Sequence, residues 1–267
     1  QIIHSLLGRE YTDSTKYNPL VKICGIRDEQ SALVAARNGA DFIGMIFVPK
    51  SKRFVTVESA KRIVDFVRSE CEESKICTTK EDDSKQNDSQ SSSNSSNWFR
   101  SQSSNLSKRA RIRKPLFVGV FLNQTSQEIN EVANSVGLDL IQLHGSEEFE
   151  FSRELCRPAI KVVHMEEDTN VDDVFERISS GKGLVTAILL DSKKKGSDSS
   201  GGTGIPFDWE KAHDINKMIP VFVAGGLTPN NVPVAVEITK PFAVDVSSGC
   251  ETNGLKDHQK IRRFIFN

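Results

Sequence analysis

From residue 21 onward the chain alternates short apolar, β-branched runs with longer stretches whose apolar residues recur every three or four positions. The first kind suits a strand buried on both faces, and the second suits an amphipathic helix. Strand-like runs fall at 21–26, 42–47, 116–122, 140–144, 160–164, 187–191, 221–224 and 242–247. Helical periodicity follows each, at 28–38, 57–70, 126–136, 147–156, 168–180, 208–218, 229–238 and 257–267. Thr228 before Pro229 reads as an N-cap and first turn for the seventh of these helices. Eight strands, each followed by a helix, predict a single closed (β/α)8 barrel of the α/β class. An open doubly wound sheet would use fewer strands and a glycine fingerprint after the first, whereas here that strand ends in Cys24-Gly25-Ile26.

Residues 69–113 break this rhythm. They are rich in Ser, Asn, Asp and Lys, with QNDSQSSSNSSN at the centre and little to bury, which predicts a disordered insertion between the second helix and the third strand. Such an insertion leaves the barrel at the N-terminal ends of the strands, away from the face where barrel enzymes place their chemistry. It is therefore expected to have no catalytic role, and its removal to leave turnover nearly unchanged. Its basic end, Lys108, Arg109, Arg111, Arg113 and Lys114, reads as a solvated charge run in preference to a nucleic-acid tag. Residues 1–20 form an extension ahead of the barrel, and a chain beginning at Gln1 fits either a processed product or an excerpt of a longer one.

Composition narrows the function classes. With 35 basic against 36 acidic residues there is no imbalance to suggest nucleic acid or a membrane surface, and 37% apolar content supports a sizeable core. Five cysteines without paired spacing argue against a disulfide framework, and neither CxxC nor a Cys/His cluster suggests a metal. The apolar run at 2–7 is too short to span a membrane, so a cytoplasmic location is expected.

Barrel chemistry belongs at the C-terminal ends of strands and in the loops that follow. That rule selects Cys24, Arg53, His144, Asp191, the Gly225-Gly226 pair, and Asp245 with Ser247, Ser248 and Gly249. Small residues after strands seven and eight let backbone N–H groups close on a phosphate, although glycine turns also serve backbone shape alone. A free cysteine is usually a small buried hydrophobe. Lys22, two residues before Cys24 on the same face, would stabilise a thiolate there, with Asp245 or Gln142 as its own partner. Asp191, closing an apolar strand, suits a general acid whose pKa burial raises. Arg53 has the geometry to clamp a carboxylate, His144 serves equally as an acid/base or a hydrogen-bonded structural group, and the Lys/Ser/Gly-rich stretch 192–204 has the composition of a mobile lid.

The motifs VKICGI, PKSKRF, GVFLN, QLHG, ILLDS, GGTG followed by FDW, AGGLTPNNV, FAVDVSSG and KDHQKI stand in this order. In that order they resemble phosphoribosylanthranilate isomerase of tryptophan biosynthesis, from residue 21 to the C-terminus outside the insertion. The resemblance implies the Amadori rearrangement of N-(5-phospho-β-D-ribosyl)anthranilate to 1-(2-carboxyphenylamino)-1-deoxy-D-ribulose 5-phosphate, with no metal or cofactor. It implies Cys24 as general base, Asp191 as general acid, Arg53 on the anthranilate carboxylate, and Gly225, Gly226, Ser247 and Ser248 on the phosphate, with His144 and Asp245 also facing the substrate. It further allows fusion to other tryptophan-pathway domains. Two features depart from the family pattern: the insertion, and Ile205-Pro206 after GGTG where a lysine is more usual. The related aminoaldose isomerase of histidine biosynthesis would place an aspartate where this chain has Cys24. A silent phosphate-binding barrel would need no acid and base facing each other.

Overall fold

A computed structural model describes residues 17–73, 94–166, 168–192 and 208–267. Its strands are β1 (Leu20–Cys24), β2 (Phe42–Ile46), β3 (Leu116–Phe121), β4 (Leu140–Leu143), β5 (Ala159–Met165), β6 (Ala187–Ser192), β7 (Val221–Val223) and β8 (Ala243–Val246). They pair in parallel in chain order, and β8 returns to β1 to close the barrel. The eight predicted strands are thus found, and the closed (β/α)8 fold with them. Around them lie α1 (Glu29–Arg37), α2 (Val57–Glu73), α3 (Ser95–Ile112), α4 (Ser126–Val136), α5 (Val171–Ser180), α6 (Trp209–Met218), α7 (Val232–Thr239) and α8 (His258–Phe266). Among the described residues no helix is long and apolar enough to cross a membrane.

Local chemistry starts and stops these helices. Asp28 caps α1 by accepting from the Ser31 amide, and Asp208 and Asp257 do the same for α6 and α8. Thr125 and Glu128 form a reciprocal capping box on α4, which ends at Gly137 in the left-handed region at φ 78°. Residues of β2 to β7, among them Phe42, Val118, Leu140, Ile160, Leu189 and Phe222, fill the barrel, and the Phe42 and Phe222 rings sit 5.3 Å apart.

Three expectations change. The stretch after β4 folds as a 3-10 turn at Phe149–Glu154 in place of an α-helix. Glu147 is drawn inward instead, accepting from the Asn123 and Gly145 amides and pairing with the buried Lys161 at 2.9 Å. Helix α7 begins at Val232, because Thr228 and Asn231 exchange side-chain to backbone hydrogen bonds that close a separate turn first.

The largest correction concerns the insertion. Its residues 95–112 are the ordered helix α3, capped by Asn94, and Phe99, Ser103, Leu106 and Ala110 are buried along one face at spacings of four, three and four. Leu106 and Ala110 join the cluster that fills the barrel interior, so α3 closes its N-terminal end. Trp98 Nε1 donates to the Val185 carbonyl at 3.5 Å and Arg100 to the Lys217 carbonyl at 2.8 Å, fixing the helix across that end. A four-residue stripe in polar surroundings is easily lost in composition, which is why the disorder expectation failed here. Residues 69–73 of the expected disorder also fold, as the last turn of α2, while 74–93 lie outside the described residues, as do 1–16 and the expected lid except Ser192.

Candidate active site

Parallel pairing fixes which side chains meet at the C-terminal mouth. Lys22 on β1 pairs in register with Asp245 on β8, so both point inward at the same level. Lys22 is fully buried, and its Nζ donates to both carboxylate oxygens of Asp245 at 3.0 Å. Cys24 stands one layer above Lys22, at the end of β1. Across the barrel, His164 on β5 pairs in register with Asp191 on β6.

A cavity of about 130 Å³ opens at this mouth. Its lining includes Cys24, Arg53, His144, Asp191, Gly225, Gly226, Asp245, Ser247 and Ser248, together with Gln142 and the apolar Ile46, Val120 and Leu122. Nine of the ten residues selected from sequence therefore surround one space, and Gly249 is absent from its lining. Gly225 holds φ 82°, and a β-carbon there would fall 2.4 Å from Ser192 Oγ; one on Gly249 would fall 1.9 Å from the Leu227 carbonyl oxygen. Only glycine lets the loops after β7 and β8 approach so closely. Ser247 Oγ is buried in this lining without a hydrogen-bond partner, a donor suited to an incoming oxyanion.

Charge is arranged unevenly across the mouth. Burial pushes the Cys24 thiol up; Lys22 and Lys256 pull it down, Asp245 pushes it up again, and the net shift is upward. The thiolate support expected from Lys22 is present but outweighed. Burial alone would push Lys22 down, yet Asp245 and Cys24 hold its ammonium above the ordinary value. The Asp191 carboxyl is raised to about 7, first by burial and then by the Asp245 charge, against the Ser192 amide and Lys22.

His144 lies with Nε2 3.5 Å from Asp191 Oδ2. Burial, then His164, Lys22 and Lys161, push its pKa down to about 3, so near neutral pH this contact involves an uncharged imidazole and is no ion pair. Gln142 Nε2 lies 3.2 Å from His144 Nδ1; with the amide as donor, the imidazole proton sits on Nε2, facing Asp191. His144, His164 and Asp191 also bring one ligand atom each within 4.8 Å of one another, a set able to hold a metal ion. The sequence reading assigned no metal cluster, since register alone brings these three together.

Arg53 is held differently from the sequence expectation. Its Nε and Nη2 donate to the two carboxylate oxygens of Glu251 at 2.6 and 2.9 Å. Glu251 starts the two-residue strand β9 (Glu251–Thr252), which pairs with β10 (Leu255–Lys256). Lys256 Nζ donates to Glu251 at 2.9 Å and to the Ser247 carbonyl at 2.8 Å. Burial pushes the Glu251 carboxyl up, but Arg53 and Lys256 outweigh it and hold the group below its ordinary value. Glu251, Lys256, Gln142 and His164 are contributors that the selection of site residues omitted. The period-two alternation within strands signalled Gln142 and His164, whereas nothing local signalled Glu251 or Lys256.

Comparison with known proteins agrees with this geometry. Residues 72–267 match the family described as PRAI, N-(5'phosphoribosyl)anthranilate (PRA) isomerase. The N-(5'-phosphoribosyl)anthranilate isomerase of Dehalococcoides mccartyi is 36% identical over 247 residues, covering 91% of this chain and 93% of that protein. A multifunctional tryptophan biosynthesis protein of Phycomyces blakesleeanus is 39% identical over 99% of this chain but only 35% of its own length. The chain thus spans between a third and a half of the first curated relatives it matches. A solved phosphoribosyl anthranilate isomerase in complex with reduced 1-(o-carboxyphenylamino)-1-deoxyribulose 5-phosphate is 31% identical, with TM-score 0.64 over 93% of this chain and 97% of that one. The chain belongs to the N-(5'-phosphoribosyl)anthranilate isomerase family.

Proposed function

We propose that this protein isomerises N-(5-phosphoribosyl)anthranilate by an Amadori rearrangement, with Asp191 as general acid and Cys24 as general base. The observation that carries the assignment of roles is the pairing of a carboxyl raised to about 7 with a thiol flanked by two lysines, around one cavity. Asp191 gives its proton to the ring oxygen as the C1′–O bond opens, while the aniline nitrogen supplies the electron pair and forms the Schiff base. Cys24 as thiolate then takes the proton from C2′, and tautomerisation of the resulting enolamine yields the ketose. No covalent adduct to the protein is needed, because the substrate's own nitrogen does the activating.

Around this pair, Ser247, Ser248, Gly225 and Gly226 hold the phosphate, and Arg53 meets the anthranilate carboxylate. Asp245 keeps Lys22 beneath Cys24, and His144 steadies Asp191. We place this activity in the cytoplasm, with 1–20 ahead of the barrel and further tryptophan-pathway domains as covalent neighbours in the whole protein. The test follows the fluorescence of the substrate as it is consumed. Turnover by the parent, abolished in Asp191→Asn and Cys24→Ser, supports the reading; a parent that binds the reduced product analogue without turnover overturns it.

A further inference from the structure

Four arginines converge at the opposite end of the barrel. Arg68 on α2, Arg109 and Arg113 at the end of α3, and Arg157 ahead of β5 line a cavity of about 230 Å³. Asp139 supplies the one carboxylate of that lining, so three of the four positive charges are not matched within it. Asp139 is itself committed: it accepts from the Phe117 amide at 2.9 Å and faces Arg68 at 3.4 Å and Arg113 at 3.3 Å. Among the described residues no carboxylate pairs with Arg109.

Two of the four forks are held by backbone carbonyls. Arg68 Nη2 donates to the Gly137 carbonyl at 2.8 Å, its guanidinium lies 5.4 Å from the Phe117 ring centre, and Arg157 Nε donates to the Leu138 carbonyl at 3.0 Å. Like charges gathered this closely repel unless an anion joins them, and anchored guanidinium forks match the oxygen geometry of phosphate better than any other side chain. The basic run at 108–114, read from sequence as merely solvated, supplies two of the four groups only because α3 is ordered.

We propose that this cavity is a second anion site, separate from the mouth, that takes a small phosphate oxyanion, free or as the terminal phosphate of a metabolite. Bound there, the anion bridges α3 to α2 and to the segment before β5, and so secures the helix that closes the barrel. The experiment uses the whole chain at constant ionic strength, with inorganic phosphate and ribose 5-phosphate as probes, read by equilibrium dialysis and melting temperature. Arg109→Gln removes no ion pair among the described residues, so folding is not at stake in that variant. Its phosphate affinity at this site should fall roughly tenfold, the loss expected for one charge-assisted hydrogen bond, and the melting rise given by phosphate should shrink. Turnover should stay within about twofold, since the site is remote from the mouth. Ser247→Ala should weaken phosphate at the mouth and leave this site intact. Response to both probes identifies a terminal-phosphate site, and response to inorganic phosphate alone a site for the free ion. Phosphate binding identical in parent and Arg109→Gln overturns the proposal. So does an equal melting rise from chloride, which would reduce the effect to screening.

Discussion

The two ends of the barrel are built on opposite principles. At the C-terminal mouth, strand ends present a buried thiol, two carboxylates and an ammonium around a cavity, and glycines open the loops above them. At the N-terminal end, Leu106 and Ala110 of α3 complete an apolar layer with Phe42, Leu116 and Leu140, and charge is kept to the rim. The rim acids are structural: Asp41 accepts from the Val21 amide and pairs with Lys114, as Asp139 accepts from the Phe117 amide and pairs with Arg113. The mouth holds polar groups whose burial shifts their protonation, whereas the far end holds apolar groups whose burial stabilises. Function and stability are thereby separated along one axis.

Substitutions at each end should therefore move different observables. The largest effect is expected at the mouth: Asp191→Asn or Cys24→Ser should lower turnover by about 10²–10⁴-fold, the usual worth of a positioned acid or base, with little change in melting. A loss of only a few-fold would remove that residue from the proton-transfer pair.

At the far end, Phe99→Ala should cost about 3–5 kcal/mol and Leu106→Ala about 2–5 kcal/mol in denaturant unfolding, with kcat/KM of the folded fraction preserved. This revises the expectation that the whole insertion is dispensable. Were both variants as stable as the parent, α3 would be an ornament and the comparison of the two ends would collapse.

Third, the pH profile of kcat/KM should be bell-shaped. The productive form needs Asp191 protonated and Cys24 ionised, but the shifts favour the reverse distribution: the carboxyl ionises at about 7 and the thiol above its ordinary value. A thiolate with a carboxylic acid holds as many protons as a thiol with a carboxylate, so both share the middle of the profile as a constant ratio. Activity should rise through about pH 7 and fall only as the thiol is lost, and in Asp191→Asn the residual rate should lose the step at 7 and the high-pH fall, rising only as the thiol ionises. A rate that falls monotonically above pH 7 would contradict this distribution. The smallest effect is that of Asn94→Ala, which removes the α3 cap and should cost about 1 kcal/mol without touching turnover. A change in kcat there would couple the two ends.

Much of this was legible in the residues. Apolar runs between helical periods set the eight strands, and strand ends and the loops after them then named nine of the residues that line the mouth. Lys22 beneath Cys24 followed from side-chain alternation, whereas its partner, left open between Asp245 and Gln142, was chosen by the register of β1 with β8. Composition misled where pattern would have served, since Phe99, Leu106 and Ala110 make a helical stripe inside a Ser/Asn-rich segment. The 3-10 turn after β4 was hidden because Glu147 is recruited by Lys161, two groups fourteen residues apart that local periodicity does not connect.

The sequence by itself determined the barrel, its order and the chemical types at its mouth, because strand and helix periodicity and strand-end position are local properties. Tertiary structure alone decided the states of those groups. Whether Cys24 and Asp191 gain or lose protons depends on burial and on Lys22, Asp245 and Lys256; Lys22 is Cys24's neighbour on β1, but the other two come from β8 and the loop after it. It also decided that Arg53 is tied to Glu251, and that a polar-looking insertion closes the barrel. Those facts rest on distances between residues far apart in the chain, and electrostatic and packing energies depend on distance in space.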